Sequence, residues 1–282
     1  MPKSLYPSLS QSTVPVQVVR ASATTTFEEQ DYLAVEEPLE ISIAYGEAAA
    51  RQRQRIAVTM RTPGHDFDLA LGFLFTEGII SQEKDVAALR YSANGGHELT
   101  VELKAGVAVD TARLSRHFYT ASSCGVCGKA SLELVQTHAC YQLRKGYPRF
   151  RIANILQMPE QLAAAQSVFA ATGGLHAAAL FDAQGQLLDV KEDVGRHNAL
   201  DKLIGAALKK TALPLSDCLA MVSGRASFEL IQKALMAGIP AMVAVGAPSS
   251  LAVDLAAESG MTLIGFLREG RCNVYTARER VV

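Results

Sequence analysis

Near the C-terminus, three apolar runs, LAMVS (219–223), AMVAV (241–245) and TLIGF (262–266), alternate with helical periodicity over 226–237 and 249–258. Consecutive apolar positions belong to strands buried on both faces, and helical crossovers join such strands in parallel. The pattern predicts an α/β unit with a largely parallel sheet covered by helices, and NVYTA (273–277) adds one more strand. Ligands of such sheets gather at the carboxyl ends of the strands. Those ends are Ser223-Gly224-Arg225, Gly246 to Ser250, and Gly265 to Gly270.

Upstream, LEISIAY from Leu39 and RIAVTM (55–60) read as strands, and Asp66 caps a helix carrying Phe67, Leu71 and Leu74, with Gly78 as its stop. Further strands at 86–91 and 98–104 complete a small α+β domain over 21–109, preceded by a Ser/Pro-rich flexible tail, 1–20. A second domain is expected over 110–282. It contains helices in DTARLSRHF (110–118) and 130–143, a linker at 144–159, and a helix in EQLAAAQSVFAAT. HAAALFDAQGQLLDVKEDV then reads as strand, turn and strand, and HNALDKLIGAALKK as a helix with lysines at its C-terminus.

The 282 residues carry a formal charge of −1, so no global field marks a nucleic-acid binder. The first 20 residues lack an apolar h-region, and no run reaches the length of a membrane span. A soluble cytoplasmic protein is the expectation. No GxGxxG follows a strand, and no P-loop motif occurs.

The densest chemistry is TASSCGVCGKAS (120–131), in which Cys124 and Cys127 lie in a small-residue loop ahead of a helix. Unpaired N–H groups at such a helix start stabilise a thiolate. A structural zinc site needs two further ligands, and the available His117, His138, Cys140, His176 and His197 lack the usual close pairing. A deaminase zinc site needs H-x-E, but Ala178 stands two residues after His176 and Ser123 replaces the proline before the first cysteine. A thioredoxin-type dithiol would follow a buried strand, and ARLSRHF is helix-like. Covalent sulfur handling needs one reachable low-pKa thiol in a mobile loop, which this segment offers. The pattern alone does not rank sulfur handling above redox. Cys140, Cys218 and Cys272 read as structural.

Three further clusters are polar. VKEDVGRHNALDK (190–202) packs Glu192, Asp193, Arg196, His197 and Asp201 into ten residues, either a capped surface loop or a ligand-binding rim. His176 follows Gly173-Gly174 and is either a core-edge histidine or a site residue. Ser223-Gly224-Arg225 precedes a helix and suits an anion, as do Arg268 and Arg271 in GFLREGR.

Taken together, SCGVCG, GG-x-HAAA, EDVGRHNALDK, SGRAS and GFLREGR-x-x-VYT resemble the formate dehydrogenase accessory sulfurtransferase family (FdhD) along essentially the whole chain. The resemblance implies a cytidine-deaminase-like three-layer α/β/α domain joined to the smaller N-terminal α+β domain. It implies a persulfide carrier that accepts sulfur from a cysteine desulfurase and passes it to the molybdenum bis(molybdopterin guanine dinucleotide) cofactor of formate dehydrogenase. Cys124 would carry the persulfide and Cys127 would assist. The family's cofactor loop corresponds to Phe266, Leu267, Arg268, Glu269, Gly270 and Arg271. Ser223, Gly224, Arg225, Arg196, His197 and His176 would line the same site, which a guanine nucleotide could occupy. A homodimer is also implied. The rival expectation is a non-catalytic chaperone that escorts the cofactor to the apoenzyme.

Overall fold

The computed structural model describes residues 9–47, 50–92, 96–110 and 141–282. The CxxC segment, Cys140, and the helices expected over 110–118 and 130–140 lie outside the described residues, apart from Asp110. At 141–143, where the second helix was expected to end, the chain is irregular.

The expected N-terminal tail is corrected in its second half. After a helical turn at Leu9–Ser12, β1 (Thr13–Ala21) pairs antiparallel with β2 (Thr26–Ala34) from Thr13↔Ala34 to Ala21↔Thr26. The valines of TVPVQVVRA favour the extended chain more strongly than the preceding serines and prolines disfavour order. β3 (Glu37–Tyr45) and β4 (Gln52–Arg61) form the expected antiparallel pair. Helix α1 (Asp66–Thr76) begins where expected, but its N-cap is His65, in the left-handed region at φ 58°. Asp66 is instead engaged by Arg61 and accepts a hydrogen bond from the Tyr91 hydroxyl at 3.1 Å. With β5 (Val86–Tyr91) and β6 (Glu98–Leu103) the sheet order is β4-β3-β6-β5. Alternation places Leu39, Ile41, Ile43, Leu99, Val101 and Leu103 in the core.

In the C-terminal part, α2 (Ile152–Ala165) replaces half of the expected linker and contains Pro159. Ile155, Met158 and Leu162 recur at helical spacing and are buried, and this packing outweighs the one ladder bond that proline cannot donate. After α3 (Ser167–Thr172), β7 (His176–Asp182) and β8 (Leu187–Asp193) form the expected hairpin, and α4 (Arg196–Lys209) follows. Then β9 (Cys218–Val222), α5 (Phe228–Met236), β10 (Ala241–Ala244), α6 (Ser250–Glu258) and β11 (Thr262–Arg268) alternate, and β12 (Arg271–Val274) folds back. The sheet order is β12-β11-β10-β9-β7-β8, with β9, β10 and β11 parallel and β7 and β12 antiparallel to their neighbours. Period-two alternation splits the strand side chains between two cores. Ala178, Leu180, Ala220, Val222 and Met242 pack with residues of α4, α5 and α6, whereas Ala177, Ala179, Phe181, Met221 and Val243 pack with α2. The architecture is mixed α/β, and among the described residues no helix is long and apolar enough to cross a membrane.

One core runs from the N-terminal sheet through α1 and α4 to the larger sheet. The helices meet at Gly72 and Gly205. A Cβ on Gly72 would lie 2.6 Å from the Asp201 carbonyl carbon, and one on Gly205 would lie 2.7 Å from the Gly72 nitrogen. This close crossing fixes the N-terminus of α4, and so positions Arg196 and His197.

Candidate functional site at the strand ends

Because β7 runs antiparallel to β9, its first residue, His176, lies at the same edge as the carboxyl ends of β8, β9, β10 and β11. The edge is laced by main chain. Ser223 N–H donates to the Ala177 carbonyl at 3.0 Å, and Ser223 Oγ accepts from Ala177 N–H at 2.9 Å. Gly246 N–H donates to the Gly224 carbonyl at 3.0 Å, and Phe266 N–H donates to the Gly246 carbonyl at 3.1 Å. The glycines permit this approach: a Cβ on Gly246 would sit 3.1 Å from the Gly224 oxygen, and one on Gly265 would sit 2.8 Å from Pro248 Cδ. The three loops expected at the strand ends are thus one continuous surface.

Over this surface gather His176, Arg196 and His197. A Cβ on Gly224 would lie 3.4 Å from the His176 ring and 3.9 Å from Arg196 Cδ, so the bare glycine faces both side chains. Arg196 is the first residue of α4, and its Nε is buried with no hydrogen-bond partner among the described residues. Burial, then the charges of Arg196 and His197, hold the His176 pKa below its ordinary value, so at neutral pH His176 is an uncharged ring beside two potential cations. His197 Nε2 lies 2.8 Å from Glu229 Oε2 and 3.3 Å from Ser227 Oγ. The hydrogen bond from His197 outweighs partial burial and lowers the Glu229 pKa.

The β11–β12 hairpin carries the remaining positive charge. Glu269 (φ 53°) and Gly270 (φ 70°) are its two central residues, as in type I′ hairpins, and Arg268 pairs with Arg271. A bulge between Gly265 and Arg268 holds Phe266 at φ 54°, a conformation that costs an L-residue roughly 1–2 kcal/mol. Such strain in a bulky residue clusters at ligand-binding places. The Arg268 guanidinium carbon lies 5.9 Å from the Phe266 ring centroid. Arg271 touches Glu269 at 3.2 Å, but both side chains are 73% exposed, so the pair leaves the guanidinium available. Arg225 is also exposed. Within the expected cofactor loop, the Leu267 side chain is 1% exposed and belongs to the core beneath.

The segment 190–202 divides sharply. Glu192 accepts from the Val168 and Phe169 N–H groups at 3.1 and 2.8 Å, holding the start of α3. Asp193 is fully buried, pairs with Lys202 at 2.7 Å, and accepts from Thr62 N–H, Gly195 N–H and Asn198 Nδ2. Asp201 accepts from Thr76 and pairs with Lys233. Asp193 and Asp201 thus tie α4 to the N-terminal part, and of Glu192, Asp193, Arg196, His197 and Asp201 it is Arg196 and His197 that stand at the strand-end surface. Sequence reasoning missed Glu229, although an acidic residue in the first turn of the helix after SGRAS was its visible signal. Burial raises the thiol pKa of Cys218 to about 11 and also raises that of Cys272, so neither is a ready thiolate.

This fold is shared with a solved protein. The crystal structure of a formate dehydrogenase accessory protein from Desulfotalea psychrophila superposes with a TM-score of 0.74, covering 96% of this chain and all of that one at 23% identity. Sequence comparison is more specific. The sulfur carrier protein FdhD of Mycolicibacterium paratuberculosis is 52% identical over 94% of this chain and 97% of its own length. That of Streptomyces coelicolor is 49% identical over 93% of each chain. The model of the FdhD/NarQ family matches residues 34–282. The chain belongs to the FdhD/NarQ family.

Proposed function

We propose that this protein is a sulfurtransferase that carries persulfide sulfur on Cys124 and delivers it to the molybdenum cofactor required by formate dehydrogenase. The carrying observation is its likeness, over nearly its whole length, to sulfur carrier proteins at up to 52% identity. The two described cysteines have thiols pushed upward, which favours the CxxC segment as the sulfur carrier.

The first step exchanges one S–S bond for another. The Cys124 thiolate attacks the outer sulfur of a desulfurase persulfide, forming Cys124–S–SH and expelling the donor thiolate without net redox change. Delivery as sulfide takes two electrons. Cys127 supplies them by attacking Cys124 Sγ, releasing the outer sulfur and closing a Cys124–Cys127 disulfide that a thiol reductant reopens. The sulfur acceptor is the substrate, the bis(molybdopterin guanine dinucleotide) form of the cofactor, which carries two guanines and two pyrophosphates. The strand-end surface suits these groups. Arg225, Arg268 and Arg271 offer exposed guanidinium groups, the buried Arg196 Nε has no partner among the described residues, and Phe266 beside Arg268 offers a face on which a base can stack.

We also read the larger domain, with helices on both sheet faces, as cytidine-deaminase-like, a scaffold used here without the deaminase carboxylate because Ala178 stands two residues after His176. The partners in this reading are a cysteine desulfurase, formate dehydrogenase and a second copy of the chain, in the cytoplasm. Complementation of a strain lacking the family protein tests it. Cys124→Ala should bind cofactor and leave formate dehydrogenase inactive, whereas full activation by the variant would make the protein an escort.

A further inference from the structure

A carboxylate beside the proposed binding surface raises a question of sign. Glu229, in the first turn of α5, stands against His197 at the margin of a surface rich in cations. A carboxylate acting directly would repel a phosphate. Its geometry points elsewhere. Glu229 Oε2 is 2.8 Å from His197 Nε2, and Ser227 Oγ, at the N-cap of the same helix, is 3.3 Å from that same nitrogen. Two groups of α5 therefore hold one edge of the imidazole, while Nδ1 has no partner among the described residues. The charged and titratable groups around the pair are Arg196 on α4, His176 on β7 and Lys233 on α5. Arg196 and the α4 N-terminus place positive potential beside this pair, and Glu229 is the acidic group that balances it.

We infer that Glu229 is a positioning residue: it holds the His197 ring with Nε2 donating inward, so that Nδ1 faces the substrate beside Arg196 and, carrying the second proton of the imidazolium that the Glu229 carboxylate pairs with, donates to an anionic oxygen. This rests on the ligand reading of the strand-end surface given above. The depressed Glu229 pKa accords with it, since the carboxylate keeps its charge and hence its hold on the ring well into the acid range.

A double-mutant cycle on the full chain tests it, with guanosine diphosphate as the probe and calorimetry as the readout. Glu229→Ala should weaken binding about three- to tenfold, and the same change made in a His197→Ala background should do nothing further. A carboxylate acting on its own gives the opposite sign, tighter binding on removal, in both backgrounds, and that result overturns the inference. An equal loss in both backgrounds, or no effect in either, overturns it too. Glu229→Asp, one methylene shorter but still charged, should recover part of the affinity. Thermal midpoints of the variants identify any loss that comes from misfolding. If the wild type fails to bind guanosine diphosphate, the ligand reading falls and this role falls with it. Carboxyl NMR then tells that outcome apart from a missing pair, because an intact pair requires the Glu229 titration to move up when His197 is removed.

Discussion

Gly72→Ala brings two opposed effects into conflict at the crossing of α1 and α4. In an isolated helix, alanine is preferred to glycine by about 1 kcal/mol. Here the added Cβ would fall onto the Asp201 carbonyl, 2.6 Å from its carbon and 2.9 Å from the Gly205 nitrogen. Both obstacles are backbone and cannot rotate away, so the helices must separate. Overpacking of this kind costs roughly 1–3 kcal/mol. Separation also strains the buried bonds from Thr76 Oγ1 to Asp201 at 2.9 Å and from Lys202 Nζ to the Thr62 carbonyl at 2.9 Å. Each buried group left unsatisfied costs about 1–3 kcal/mol. The clash wins, with a net loss of about 3 kcal/mol, and a fall in melting temperature of roughly 6–12 °C for a chain of this size. Circular dichroism with thermal and urea denaturation reads this directly. Gly96→Ala, where a Cβ would meet nothing within 4 Å, is the control and should be nearly neutral. A Gly72→Ala protein as stable as the wild type would refute the reasoning.

Other outcomes concern chemistry. Cys218→Ala and Cys272→Ala should load sulfur from a desulfurase as the wild type does, by intact mass, because burial raises both thiols. Arg268→Ala and Arg271→Ala should each weaken guanosine diphosphate binding about tenfold and flatten its salt dependence, if each makes one charge-assisted phosphate contact. His176 has a depressed folded pKa, so its contribution to stability is full above the ordinary histidine value of about 6.5 and is lost as pH falls from there toward the folded value. His176→Gln should therefore flatten the pH dependence of urea stability in that window.

The strands of the larger sheet were legible because uninterrupted apolar runs such as LAMVS and AMVAV have few alternatives once helical periodicity separates them. The strand-end loops followed from that direction of travel. What stayed hidden depends on contacts distant in sequence. Asp193, Asn198 and Lys202 belong to a polar segment that reads from sequence as either a capped surface loop or a ligand-binding rim, yet they spend their polarity on Thr62 and Met60 of the N-terminal part. Leu267 shares a motif with Arg268 but alternates into the core. Pro159 marked a linker by composition, and the burial of Ile155, Met158 and Leu162 made a helix of it. β1 was masked by its Ser/Pro-rich surroundings, although its alternating valines were visible. Glu229 acquires its meaning only through His197, thirty-two residues earlier in the chain.

Cys124 is the proposed sulfur carrier. Intact-mass measurement after incubation with a cysteine desulfurase and cysteine, wild type beside Cys124→Ala, tests it most directly. The wild type should gain about 32 Da, one sulfur atom, reversed by reductant and absent from the variant. An equal gain on both proteins, or none on the wild type while it still binds the cofactor, would contradict it.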